Sequence, residues 1–122
     1  MIIIGDEFIP YENIATIVSV DDINNTKANS TLIFEFKQNI LSYCNENSLG
    51  FAVIVDSLKD AIYANALNAK YIISSKDLAI KIQKCADNYM FDARVLSIIE
   101  NDKEIEEVAL LEIDGAIYKE VL

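Results

Sequence analysis

The residues of this chain with most chemistry to offer are carboxylates and hydroxyls that directly follow short apolar runs. Asp21-Asp22 comes after Ile14-Ala15-Thr16-Ile17-Val18, Asp56-Ser57 after Phe51-Ala52-Val53-Ile54-Val55, and Ser74-Ser75 after Tyr71-Ile72-Ile73. Glu100-Asn101 and Lys119 stand in the same relation to Val95–Ile99 and Ala116–Tyr118. Grouped carboxylates suit a hard cation such as Mg²⁺, which takes oxygen ligands. An aspartate beside such an ion can accept a phosphoryl group, and a lysine at a strand end can form a Schiff base or hold phosphate. The candidate catalytic groups are therefore Asp56 and Lys119, and the candidate metal ligands are Asp21, Asp22 and Asp56. Ser57, Ser74, Ser75, Glu100 and Asn101 are the candidate ligand-binding residues. Each also has a plain structural use, because serine, asparagine and aspartate are the residues that cap the first turn of a helix.

Other chemistries fail for want of parts. The chain has no histidine, so serine–histidine and cysteine–histidine catalysis and histidine-ligated zinc are absent. Its three glycines, Gly5, Gly50 and Gly115, are too far apart to build a dinucleotide fingerprint or a phosphate-binding loop. No Cys-x-x-Cys occurs; Cys44 and Cys85 read as two reduced thiols buried in helices. No catalytic set is complete. The sequence therefore predicts a non-catalytic binding or regulatory domain that needs no cofactor, with Mg²⁺ the one ion its acids would suit.

The elements that must position these residues alternate regularly. The runs Thr31–Phe36, Phe51–Val55, Tyr71–Ile73, Val95–Ile99 and Ala116–Tyr118 recur roughly every 20 residues, with amphipathic helical patterns between them. Continuous apolar runs bounded by helices are the mark of parallel strands buried on both faces. The expected fold is a three-layer α/β domain spanning residues 1–122. Its mainly parallel sheet has five or six strands and helices on both faces, in a flavodoxin-like (Rossmann-like) order, with an open half-barrel of four or five βα units as the second choice. The expected core is Ile33, Phe34, Val53, Ile54, Val55, Ile72, Ile73, Leu96, Ile98 and Ile117, overlaid by a helical stripe of Leu78, Ile82, Cys85, Ala86 and Tyr89. Residues 1–30 are less patterned. They hold a β-branched run at 14–18, a cap at Ser19 opening a short helix, and an edge strand within Met1–Pro10 that the proline ends. In such a sheet ligands bind beyond the carboxyl ends of the strands, where every candidate residue stands.

Two resemblances attach to these motifs. The order of Asp21-Asp22, Asp56 and Ser74-Ser75 at successive strand ends resembles the response-regulator receiver domain. That implies a Mg²⁺-dependent phospho-acceptor at Asp56, although the place of the family's lysine is taken by Glu100-Asn101. The segment Asp114-Gly115-Ala116-Ile117-Tyr118-Lys119 looks like a late strand of phosphate-binding (β/α)₈ enzymes, which implies a role for Lys119 on a phosphorylated metabolite.

Composition limits the partners. The net charge is −10, from 20 acidic against 10 basic residues. Nucleic acids and anionic membranes are expected to be repelled. The sequence has neither a basic leader nor a membrane-spanning apolar run, so a cytoplasmic protein is expected. Residues 100–114 hold Glu100, Asp102, Glu104, Glu106, Glu107, Glu112 and Asp114 against Lys103 alone, a solvated face or a dock for a basic partner. The apolar Met1–Ile4 with Phe8-Ile9, and Tyr89-Met90-Phe91, are candidate association surfaces. Covering an apolar edge strand across a two-fold axis predicts a homodimer.

Overall fold

The computed structural model describes residues 1–122. Seven strands form one sheet: β1 (Ile2–Ile4), β2 (Ile14–Thr16), β3 (Thr31–Glu35), β4 (Phe51–Ile54), β5 (Tyr71–Ser74), β6 (Arg94–Ile99) and β7 (Gly115–Tyr118). Every pairing is parallel, in the order β1-β7-β6-β5-β4-β3-β2. From β2 to β7 each strand lies beside its successor, and the chain's first strand joins at the far edge. The parallel α/β sheet is the one expected. Its order is the sequential one of an open half-barrel, and the count is seven rather than five or six. Beyond the five apolar runs, both less patterned amino-terminal segments form strands: β1 lies within the expected edge segment Met1–Pro10 and β2 within the β-branched run 14–18, each only three residues long. Gly5, at φ 98°, ends β1 well before Pro10.

Helices α1 (Gln38–Glu46), α2 (Leu58–Ala66), α3 (Lys76–Tyr89) and α4 (Ile105–Leu110) return the chain from β3 to β4, β4 to β5, β5 to β6 and β6 to β7. Neighbouring parallel strands joined by crossovers of one hand receive their helices on one side. All helix side chains in the core belong to the larger of two apolar clusters, together with Leu32, Phe34, Phe51, Val53, Ile72 and Val95. The second cluster comes from strands alone: Ile4, Ile33, Ala52, Tyr71, Ile73, Leu96 and Ile117, with Val121 and Leu122 packed against it. Strand residues alternate between the clusters with a period of two. Of the expected core, Ile54 and Ile98, on the face covered by no α-helix, and Leu78, in the first turn of α3, are only half-buried.

The α3 stripe is rotated from the expected one. Ala79, Ile82, Gln83 and Ala86 are buried, while Tyr89 is 76% exposed. Two alanines let the helix approach the sheet closely, and Gln83 is buried because its amide is used at both ends. Its oxygen accepts from Asp114 N at 2.9 Å and its nitrogen donates to Asp87 Oδ1 at 2.9 Å. In α2, Ala61 and Ala64 make the same close approach. Both cysteines are unpaired, and burial pushes the Cys44 thiol up to about 11.

All four helices stop in the same way. Ser48, Asn68, Met90 and Glu112 take positive φ, and the next residue's N–H reaches back to Cys44, Ala64, Ala86 and Val108 O respectively. This is a Schellman closure, which ordinarily favours glycine. Met90 is 85% exposed and has no contact to lose. Met90→Gly should therefore stabilise the protein by about 0.5–1 kcal/mol in urea unfolding, as relief of left-handed strain outweighs the added unfolded-state entropy. One polar atom in the core has no partner. Ser97 Oγ, on a fully buried residue of β6, lies opposite Ser74 and Ala116. Ser97→Ala should be neutral or up to about 1 kcal/mol stabilising, since it removes an unpaired hydroxyl and leaves almost no void; a loss above that size would mean the hydroxyl is hydrogen-bonded after all.

Candidate functional site

Because all strands run the same way, their carboxyl ends gather the candidate residues along one rim. In spatial order these are Asp21 and Asp22 beyond β2, Glu35 at β3, Asp56 and Ser57 beyond β4, Ser74 and Ser75 at β5, Glu100 and Asn101 beyond β6, and Lys119 beyond β7. Along that rim five of these ten side chains bond to the backbone. The Asp22 carboxylate accepts from Val18 N (2.9 Å) and Ser19 N (3.1 Å), and these bonds hold its carboxyl below the ordinary value. Ser57 Oγ accepts from Asp60 N at 3.1 Å and Ser75 Oγ from Leu78 N at 3.5 Å. Ser74 Oγ donates to Ser75 O at 3.0 Å, and Asn101 Oδ1 accepts from Lys103 N at 3.0 Å. Glu100 presents its N–H to Glu104 Oε2 at 2.6 Å. Asp21, Asp56 and Lys119 are exposed. No three of the chain's cysteine, aspartate and glutamate side chains are grouped so as to hold a metal ion. Asp21, Asp22 and Asp56 share the rim without converging.

What does converge lies at the β2–β4 end of the rim. A cavity of about 330 Å³ opens there, lined by Thr16, Ile17 and Val18 after β2, Ile33 to Glu35 of β3, Lys37 and Ile40 at the start of α1, Ile54 of β4, and Leu122. Seven of these ten are hydrophobic; the polar ones are Thr16, Glu35 and Lys37. Lys37 Nζ donates to Val18 O at 3.3 Å, which ties the start of α1 to the segment after β2. α1 differs from α2 and α3 in its cap. Lys37 occupies the N-cap, no side chain accepts from the first turn, and no acid stands within it. The first-turn donors of α1 therefore have no side-chain acceptor, and Lys37 and Ile40 at this helix start line the cavity. An apolar wall with a few polar groups is an arrangement able to hold a small molecule.

The expected site residues did not include Thr16, Lys37, Ile54 or Leu122. One signal was legible. α1 is a helix between two predicted strands with lysine where its neighbours carry serine. The others lie on apolar runs that read only as core.

Two carboxylates fix the segment 5–13, which joins the carboxyl end of β1 to the amino end of β2 at the opposite sheet edge. Asp6 Oδ2 accepts from Tyr118 OH at 2.6 Å, and Asp6 Oδ1 from Phe8 N at 2.8 Å. The first of these bonds lowers Asp6 and pushes the Tyr118 phenol up to about 12. At the other end Glu12 accepts from Thr31 Oγ1, Lys70 Nζ and Tyr71 OH at 2.6, 2.5 and 2.5 Å. Segment 5–13 is thus a strap with a nail at each end. Val121 lies beside Gly5, and Leu122 lines the same cavity as Thr16 and Val18.

The fold defines a class, the singly wound parallel α/β half-barrel, here with a cavity at its strand ends. Beyond that class no name follows: no known family and no curated protein matches the chain. No helix is long and apolar enough to cross a membrane.

Proposed function

We propose that the chain is a non-catalytic binding domain whose ligand, a small molecule with an apolar body and one hydrogen-bond-accepting end, occupies the cavity between β2, β3, β4 and α1. The cavity carries this reading. It is a largely apolar space of about 330 Å³ at the strand ends, which is the place and size of a metabolite site in open parallel sheets. The acceptor end would meet Lys37 and the uncapped first turn of α1. The rim serines and acids, by contrast, are occupied as caps or stand apart. The domain acts as a homodimer paired along β1. Ile2 and Ile4 direct their backbone groups to β7, which leaves those of Ile3 facing outward at the free edge.

Thermal-shift measurements with medium-chain carboxylates, amides and alcohols test the first claim, because a ligand of the native state alone adds about 2.7 kcal/mol at a hundred times its Kd. The expected result is a rise in Tm that Ile54→Trp, which fills the cavity, abolishes. A rise with Mg²⁺ and acetyl phosphate that disappears in Asp56→Asn would instead establish a phospho-acceptor and overturn the proposal. Light scattering tests the second claim. A dimer has twice the 13.7 kDa of the chain, and a monomeric mass at micromolar concentration rejects it.

A further inference from the structure

The strap has a feature that neither the cavity nor the β1 edge uses. Between its two nails stand Phe8, 89% exposed, Ile9, 43% exposed, and Tyr11, 44% exposed. Three large apolar side chains in four positions face water, and Phe8 is the most exposed large apolar side chain of the protein. The strap is held in place, so this exposure is not slack. Asp6 fixes it at one end and the three donors to Glu12 fix it at the other. It takes no part in any strand pairing. Pro10 at its centre has no N–H, which makes backbone addition of a partner strand unfavourable and leaves the side chains to do the contacting.

The surroundings say what kind of surface could cover it. Phe8 shares a cleft of about 280 Å³ with Glu7, Glu100, Asp102 and Glu120. None of these four acids is ion-paired. An apolar knob with an acidic collar is complementary to an apolar pocket with a basic rim. A second copy fits badly, because its own Phe8 brings the same four carboxylates, and the chain has only 10 basic residues against 20 acids. An anionic bilayer is repelled by the same charge. We infer that the strap 7–11 is a docking element for a different protein, one that receives Phe8 in an apolar pocket bordered by lysine or arginine. The surface lies apart from the ligand cavity, so this inference stands or falls independently of it.

The probe is a fluorescent helical peptide of leucine and lysine, whose apolar stripe bordered by ammonium groups is the minimal form of such a surface. Its counterpart of leucine and glutamate is the control. The full chain should bind the lysine peptide, with affinity falling as salt is raised. Phe8→Ser leaves the charge unchanged and, at an exposed position, the fold intact. It should weaken binding at least tenfold, while Ile62→Ser, at another exposed apolar side chain, should not. Equal binding of the glutamate peptide, or undiminished affinity in Phe8→Ser, would sink the inference. Phe8-dependent binding to phosphatidylcholine vesicles in preference to the peptide would assign the strap to a membrane. A lower mass of Phe8→Ser than of the parent chain in light scattering would assign it to self-association. Either result overturns the proposed partner.

Discussion

Gly115→Ala should lower the stability of the native state by about 3 kcal/mol, the largest loss expected from adding a single methyl group to this chain. Gly115 opens β7 and is paired on one side with Ile2 and on the other with Leu96. A Cβ there would lie 2.7 Å from Ile2 Cβ and 2.8 Å from Leu96 Cδ2, and nearer still to the Ile2 carbonyl oxygen. The leucine can rotate away. The carbonyl cannot, because it belongs to the backbone of the strand that pairs with β7. The methyl group must therefore push β1 off the sheet or shift β7 against β6. The loss should appear as a lower urea midpoint, with accelerated amide exchange in Ile2–Ile4 before the rest of the sheet. Gly50→Ala is the matched control, since its Cβ would meet only Thr31 Oγ1 at 3.9 Å, an ordinary contact. If both variants lose little, β1 is not held as described.

Glu12→Ala should cost about 2–3 kcal/mol, and its effect should depend on pH. The carboxylate serves three donors, and two of them, the Thr31 and Tyr71 hydroxyls, belong to buried residues. Truncation leaves those hydroxyls without an acceptor and frees the amino-terminal side of β2. The Lys70 contact contributes little, because that side chain is 50% exposed; Lys70→Met should change stability by less than about 1 kcal/mol. Burial alone would raise the Glu12 carboxyl. The bonds from Lys70, Thr31 and Tyr71 together outweigh it and hold the group below its ordinary value of 4.5. A carboxyl whose folded value is depressed binds its proton more readily when unfolded. The stabilisation is therefore whole above pH 4.5 and declines as pH falls below it. Urea midpoints of the parent chain and Glu12→Ala should converge on acidification from pH 6 towards pH 3. Parallel curves across that range would show that the cluster is not held by the ionised carboxylate.

Much of the architecture was determined by the sequence alone. Five apolar runs without polar alternation can be buried only on both faces, and the helices between them require parallel neighbours. The serines and asparagine after three of these runs announced their caps, and Ser57, Ser75 and Asn101 do accept from the first turn. Local rules suffice there, because a cap and a period involve only residues a few positions apart. Tertiary structure decided the rest. That Ile2 lies beside Gly115, and Asp6 beside Tyr118, joins residues more than a hundred positions apart and leaves no periodic trace. The rotation of α3 was set by the small volumes of Ala79 and Ala86 against the sheet and by the two bonds of Gln83. The cavity belongs to no single element. It exists because β2, β3, β4, α1 and Leu122 meet imperfectly, and the volume left where five surfaces join is a property of their packing that no stretch of the chain encodes by itself.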